Sequence, residues 1–537
     1  MNTDDMKGLD EETRKDVEEL LKVTRKKDGT KAYAIAQFEI QDYRMANKQY
    51  DLSIKTLQKI KESDDKEYYE LAKLNIAVIE YNYKNELDGA CKKVVELLEK
   101  NSWVNRVTRK YAFLFAKDYL SKGKYEKSIQ LFKLISIAYS YESNCYGKIC
   151  KLMLDSKTIK LGEYFLELLD KTLSVVNILK LDFKKLSDIE KSPERKLAHY
   201  TGTYTTEKLL HMDEEQTKPS AFRLNTINNV NDPSEGQLLL NYLKGVKETS
   251  FYAPDFDEKL HAFVSCFTFN HDSLNQFRLY GKQDNKEASG ISLVFNQNFF
   301  QEHNPAIGLS YVAFKGDLQK TDTASIKQGA IEVPEDKAFE KSFEGIKEQP
   351  VMRCVYIDPT SDYIHLAQRN RLTFFREFGH NILEGGSTTE AEFEWNKYKE
   401  YIEIKTDEFK KAFVELKKIY GNAIEERGNL KGMGKEDMEE IDSLLEMIIL
   451  PLKYLIKHSA FQEEQECRMV YITSLDDPKV KMDFGKFLYV EYEPEVKAHL
   501  DKIYIAPAAT QYQPYLAKLL CDTNVKIEPS NNPYRQN

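Results

Sequence analysis

Two short stretches lying 267 residues apart hold the residue types that a binding or group-transfer site needs. The later one is Glu464-Gln465-Glu466-Cys467-Arg468-Met469-Val470-Tyr471-Ile472. Read as a strand, it projects Glu464, Glu466 and Arg468 from one face and Cys467, Met469 and Tyr471 from the other. The Arg468 guanidinium would then keep Glu466 ionised near neutral pH, as a ligand-orienting carboxylate must be. The plainer alternative is an ion pair on a solvated sheet face. The earlier stretch is His199-Tyr200-Thr201. A neutral imidazole there can donate to a ligand hydroxyl while accepting elsewhere, or it is a satisfied structural histidine. Thr201-Gly202-Thr203 either contacts a ligand or caps a helix starting near Thr206. Between the two stretches stand Ser265, flanked by Phe263 and Phe267 on the same strand face, and Tyr280, three residues after Phe277. Neither Ser265 nor Cys266 has a base nearby in sequence, and there is no Gly-x-Ser-x-Gly elbow, so a nucleophilic role has little support. The turn Asn231-Asp232-Pro233 either adds acidic groups to the site or is purely structural.

These residues need strands to carry them, and the second part of the chain supplies strand-like runs. They are Leu197–Tyr200, Ala262–Phe269, Ile291–Phe295, Leu309–Phe314, Met352–Ile357, Cys467–Ile472, Phe487–Glu491, Lys502–Ile505 and Val525–Ile527. A charged helical stretch at 360–460, with Glu390–Tyr420 and Lys435–His458, reads as an insertion or flap in this β-rich region. The first part differs. From Asp10 to Glu190 there are five glycines and no proline, and Leu, Ile, Tyr and Ala recur at helical spacing. Ser192-Pro193-Glu194 breaks that register and marks a boundary between 1–190 and 195–537.

Lys and Arg total 78 against 87 Asp and Glu, a net charge of −9. That balance disfavours direct binding of nucleic acid or anionic membranes, and with them hydrolytic action on nucleic acid. The 35 basic and 32 acidic residues of 1–190 leave 43 and 55 in the remainder, so the acidity belongs to the second part. No run of about eighteen apolar residues occurs and the start is acidic, so the expectation is a cytoplasmic protein without a membrane span. Seven scattered cysteines read as buried thiols. Nine dispersed histidines give no metal site, and P-loop, Gly-x-Gly-x-x-Gly and His-Glu-x-x-His motifs are absent.

In the helical part, Tyr50, Leu87, Tyr125 and Tyr164 anchor a pattern repeating every 37, 38 and 39 residues. The copy Ala116-x-x-Tyr119-x-x-x-Gly123-x-Tyr125-x-x-Ser128-x-x-x-Phe132 resembles a tetratricopeptide unit. That resemblance implies an all-α helical-repeat solenoid with a concave face for a protein or peptide; a generic helical bundle is the alternative. From His199 onward the chain resembles the bacterial family called domain of unknown function 2971. The carriers are His199-Tyr200-Thr201, Asn231-Asp232-Pro233-Ser234-Glu235, Val264-Ser265-Cys266-Phe267, Phe277-Arg278-Leu279-Tyr280-Gly281 leading to Gly290-Ile291, Glu463-Glu464-Gln465-Glu466-Cys467-Arg468 and Asn532-Pro533-Tyr534-Arg535. Phe277 stands where related sequences often carry Trp.

The same signposts resemble, more distantly, the ADP-ribosyltransferase fold: an α+β domain with a mixed, largely antiparallel sheet. That resemblance implies NAD as substrate. His199, Tyr200 and Thr201 would hold the dinucleotide, Ser265 and Arg468 would support it, and Tyr280 would pack near nicotinamide. Glu466, with Glu464 beside it, would orient the ribose while the glycosidic bond breaks with oxocarbenium character. The implied activity is transfer of ADP-ribose to a macromolecule or to water, with the repeats sensing a partner, as in bacterial conflict or phage defence. The competing expectation is a non-catalytic scaffold in which both domains bind partners.

Overall fold

The computed structural model describes residues 11–100, 105–136, 139–181, 183, 194–211, 218–232, 234–245, 257–282, 286–300, 309, 312, 345–347, 349–361, 363–379, 382, 388–483, 485 and 487–534. Ser192, Pro193, Pro233, Arg535 and most of the expected strand at 309–314 lie outside them. The chain forms two compact units, divided at Leu154/Asp155 rather than at the expected Ser192-Pro193 break.

The first unit is helical. Thr30–Ala46 packs on Tyr50–Leu57, Lys66–Lys84 on Leu87–Glu99, and Asn105–Ser121 on Tyr125–Leu134, followed by Ser140–Leu154. Three of the four repeat anchors, Tyr50, Leu87 and Tyr125, are the first residues of their helices. Small residues one turn on, Ser53, Ala90 and Ser128, are fully buried. Ser128 donates its hydroxyl to the Ala116 carbonyl at 2.8 Å. Gly123 makes the turn between the members of the third pair at φ 69°, a left-handed conformation that glycine adopts without a Cβ penalty. The fourth anchor, Tyr164, lies inside the helix Ile159–Leu179 and opens nothing.

That helix belongs to the second unit, where its apolar face packs on the long helices Glu390–Asn429 and Lys435–Lys453. Lys160–Glu426 (2.6 Å) and a Lys171–Glu415 pair line the contact. The described part of the 360–460 stretch is therefore mostly packed helix, with short strands at its ends.

The second unit holds thirteen described strands: β1 Lys196–Thr201, β2 Phe222–Thr226, β3 His261–Thr268, β4 Ile291–Asn296, β5 Val351–Arg353, β6 Val355–Ile357, β7 Ile364–Leu366, β8 Ile456–His458, β9 Glu466–Thr473, β10 Val480–Asp483, β11 Phe487–Tyr492, β12 Leu500–Ile505 and β13 Lys526–Pro529. The expected run Met352–Ile357 is in fact broken at Cys354, β5 joining β9 in the main sheet and β6 lying between β7 and β8 in a small second sheet. The main sheet is mixed, with β12 and β13 parallel and the other pairs antiparallel.

The central strand, β3, is paired along one edge with β9 from His261↔Thr473 to Thr268↔Glu466. Its other edge is shared. β2 pairs at Phe263 and Val264, β1 pairs at Thr268, and the two diverge between. A seam therefore opens beside Ser265, Cys266 and Phe267. Phe222, Phe267, Phe295 and Phe299 pack edge-to-face and stacked behind it, an arrangement worth on the order of 1 kcal/mol per pair beyond area burial.

Candidate functional site

A cavity of about 230 Å³ lies at this seam. It is lined by His199, Ser265, Cys266, Tyr280, Glu464, Glu466 and Arg468, with Asn225, Asn231, Gln276 and Lys457. Of the eight residues singled out from sequence, His199, Tyr200, Ser265, Tyr280, Glu464, Glu466 and Arg468 meet there; Thr201 does not line it.

His199 occupies the seam itself. Its neighbour Ala198 faces Thr268, and Thr268 faces Glu466, so His199 is out of phase with the carboxylate along the sheet. Its ring instead crosses the gap. Nδ1 sits 2.9 Å from the Cys266 carbonyl, with Phe222 and Phe267 against the ring. A carbonyl only accepts, so Nδ1 carries the proton and Nε2 holds the lone pair. Burial lowers the His199 pKa below the ordinary histidine value. The imidazole is thus a neutral acceptor toward a ligand, which reverses the donor role expected from sequence.

Tyr200 and Thr201 are corrections. Tyr200 packs its ring on Phe277 (centroids 4.9 Å apart), donates its hydroxyl to the Asn270 carbonyl at 2.6 Å and accepts from the Ser273 amide at 2.9 Å. It anchors the loop before helix Leu274–Leu279 and has no hydroxyl left for a dinucleotide. Thr201 presents its carbonyl to Gly290, whose missing side chain permits the approach. The following helix starts at Thr203, so the segment Thr201-Gly202-Thr203 caps it through Gly202, without a side-chain cap bond.

The acidic stretch is buried, and the solvated ion pair is overturned. Glu235, Glu464, Glu466, Lys457 and Arg468 are 1%, 7%, 5%, 3% and 1% exposed. Arg468 holds Glu235 through both Nη atoms, donates Nε to Glu466 Oε1 at 2.6 Å and donates Nη1 to the Tyr454 carbonyl at 2.8 Å. The Lys457 ammonium bridges the other two acids, 2.6 Å from Glu464 Oε2 and 2.6 Å from Glu466 Oε2. Tyr280 donates its hydroxyl to Glu464 Oε1 at 2.6 Å. The strand begins only at Glu466, after Gln465 in a left-handed turn, so Glu464 faces Lys457 and Tyr280 instead of continuing the row with Arg468.

Three acids and two cations leave one negative charge in a nearly dry space, and the two site carboxyls are pushed apart in acidity. Burial alone would raise the Glu466 pKa, but Arg468 and Lys457 outweigh it and hold Glu466 ionised well below the carboxylate range. Burial raises Glu464 above its ordinary value, Lys457 pulling down and Glu466 pushing up. Burial likewise disfavours the Lys457 ammonium, yet Glu466 and Glu235 keep it charged. The arrangement thus sets an ionised Glu466 beside a Glu464 that burial makes the weaker acid of the two.

Ser265 is 4% exposed, and its hydroxyl has no hydrogen-bond partner among the described residues. A buried orphan hydroxyl costs about 1–3 kcal/mol unless something bonds it. Asn231 lines the cavity while Asp232 closes its turn onto the Ser234 amide and hydroxyl at 2.8 and 2.5 Å. Sequence reasoning missed Lys457, carried by β8 at the far end of the helical stretch, and the pairing of Glu235 with Arg468. No family model, no curated protein and no solved structure matches the chain. No described helix is long and apolar enough to cross a membrane.

Proposed function

We propose that the second unit is an NAD-using enzyme of the ADP-ribosyltransferase kind, releasing nicotinamide and passing ADP-ribose to an acceptor, with the helical unit binding a protein or peptide partner. The observation that carries this reading is that His199, Ser265, Tyr280, Glu464 and Glu466 all line one seam cavity, although they come from β1, β3, the end of the helix after β3, the 3-10 turn Ser459–Glu464 and β9.

The chemistry follows from the groups. Cleavage of the C1′–N bond builds positive charge on the ribose, which a pre-oriented ionised carboxylate stabilises in a dry site. Glu466 is that carboxylate, and its alignment is fixed by Arg468 and Lys457. His199 Nε2 accepts from a sugar hydroxyl, and Tyr280, 37% exposed, gives an aromatic wall. The net negative charge favours the cationic pyridinium of the oxidised dinucleotide. At about 230 Å³ the cavity is smaller than the usual range of about 300–1,000 Å³ for a whole ligand, so the nicotinamide and its ribose enter while the adenylate end lies outside.

The test is nicotinamide release from NAD by the full chain and by Glu466→Gln. Release by the parent, reduced about a hundredfold or more in the variant, is expected for loss of such a group. Background release by both would leave the scaffold reading in its place.

A further inference from the structure

The second unit holds another cavity, of about 410 Å³, that shares no lining residue with the seam. Tyr204 and Glu207 reach it from the helix Thr203–Leu210, where a spacing of three puts them on one face. Tyr512 and Tyr515 reach it from the 3-10 turn Pro507–Tyr512 and the helix Gln513–Leu519. The Tyr515 hydroxyl donates to Glu207 Oε1 at 2.8 Å and ties the two walls together across 308 residues of sequence. Buried Ile291 and Leu516 complete the apolar part of the lining. The three tyrosines are 59%, 36% and 40% exposed in chain order, so their rings surround the cavity instead of filling a core.

The charge of this cavity selects its ligand. Aromatic faces carry negative potential and attract cations. Glu207 adds a carboxylate, and no Lys, Arg or His lines the space. Lys208 stands 5.7 Å from the Tyr204 ring centroid, a cation that this ring already attracts, but it is not part of the lining. A primary ammonium is strongly hydrated and brings three donors, which rings and two aliphatic side chains cannot meet. A quaternary ammonium has no N–H to satisfy, and its methyl groups suit the rings, Ile291 and Leu516. The volume lies within the usual range of about 300–1,000 Å³ for a whole small ligand, and Glu207 would repel the phosphate of a lipid headgroup.

We infer that this cavity binds a free, small quaternary ammonium compound of the choline type, held among the rings of Tyr204, Tyr512 and Tyr515 with Glu207 as its counter-charge. The inference does not rest on the nucleotide chemistry at the seam.

The experiment titrates the full chain with choline, with the neutral analogue in which carbon replaces the choline nitrogen, with an N-acetylated trimethyl-lysine amide and with phosphatidylcholine vesicles. Ligand-observed NMR reads the small molecules and co-sedimentation reads the vesicles. Choline is expected to bind with a Kd of about 1 mM or tighter, the neutral analogue about tenfold more weakly, and the vesicles not at all. Absence of choline binding, or equal binding of the neutral analogue, overturns the inference. Tighter binding of the trimethyl-lysine amide, or binding of vesicles, assigns the site to a protein side chain or a membrane and overturns the small-molecule assignment. Tyr512→Ala and Tyr512→Phe then locate the ligand. The Tyr512 side chain makes no hydrogen bond or ring stack among the described residues, so both variants should fold, as circular dichroism would check. Tyr512→Ala should weaken choline about tenfold while Tyr512→Phe keeps it. Unchanged affinity in the folded Ala variant puts the ammonium elsewhere and overturns the inference. If Tyr512→Ala does not fold, Glu207→Gln takes its place, with the same loss expected and no loss as the contrary result.

Discussion

His199 Nδ1 donates to the Cys266 carbonyl across 2.9 Å of a gap that neither β1 nor β2 closes. A side chain replaces the missing ladder bond at the point where two strands leave the same edge of β3, and its second nitrogen is left as an acceptor. His199→Phe keeps the ring packing on Phe222 and Phe267 but loses both nitrogens. It is expected to raise the KM for NAD about tenfold or more, with a smaller stability loss of about 1–2 kcal/mol for the orphaned carbonyl. Steady-state kinetics beside urea denaturation separate the two effects; an unchanged KM would remove His199 from the site.

Arg468→Met strips the guanidinium from Glu235 and Glu466 together and leaves two buried carboxylates without it. Breaking a buried pair from one side costs about 3–5 kcal/mol. Equilibrium denaturation should show a fall of that order, and a loss under about 1 kcal/mol would mean that water reaches the cluster.

Acid should weaken the second unit through its histidines. Burial, then the Arg369 charge, draws His271 down to about 4, and burial lowers His199 as well. The unfolded chain binds those protons at the ordinary value of 6.5, so it takes them up before the folded chain does. The stability these groups contribute is complete above pH 6.5 and is lost as pH falls toward 4. Melting temperature measured across that window should drop with acidification in the parent and drop less in His271→Asn; parallel curves would contradict the assignment.

Gly290 has no room for a side chain: a Cβ there would stand 2.4 Å from Gly281 Cα and 2.5 Å from the Thr201 carbonyl. Both obstacles are backbone, so the substitution Gly290→Ala must move β4 or the turn after Tyr280. A loss of about 1–3 kcal/mol or more is expected, read by denaturation together with reduced NAD turnover. In the first unit Gly123 presents the opposite case, with open space around it but φ 69°. There Gly123→Val is expected to cost only about 1–2 kcal/mol of conformational penalty.

The alternation in Glu466-Cys467-Arg468 and in Ala262–Phe269 made the central strands legible, because one face of each is apolar and period two survives on both. Phe222–Thr226 alternates as cleanly, buried at 222, 224 and 226 and exposed at 223 and 225, yet its polar outward residues disguised it. Cys354 sits inside a continuous apolar run, and nothing local signals that the chain changes sheets there. Lys457 was invisible for a different reason. Its meaning comes from two acids, Glu464 in the turn before β9 and Glu466 at its start, that fold back to within 2.6 Å of it, a tertiary event that neither spacing nor residue type encodes. The helix Ile159–Leu179 reads locally like its predecessors, and only the distant Glu390–Asn429 decides which unit it joins.

The seam as a nucleotide site is tested most directly by a crystal structure of the full chain with a non-cleavable NAD analogue. The account predicts the nicotinamide riboside end in the cavity between β1 and β2, a ribose hydroxyl within hydrogen-bond distance of Glu466 and another facing His199 Nε2. An analogue bound elsewhere, with the Glu466–Arg468–Lys457 cluster untouched and the seam closed, would contradict it.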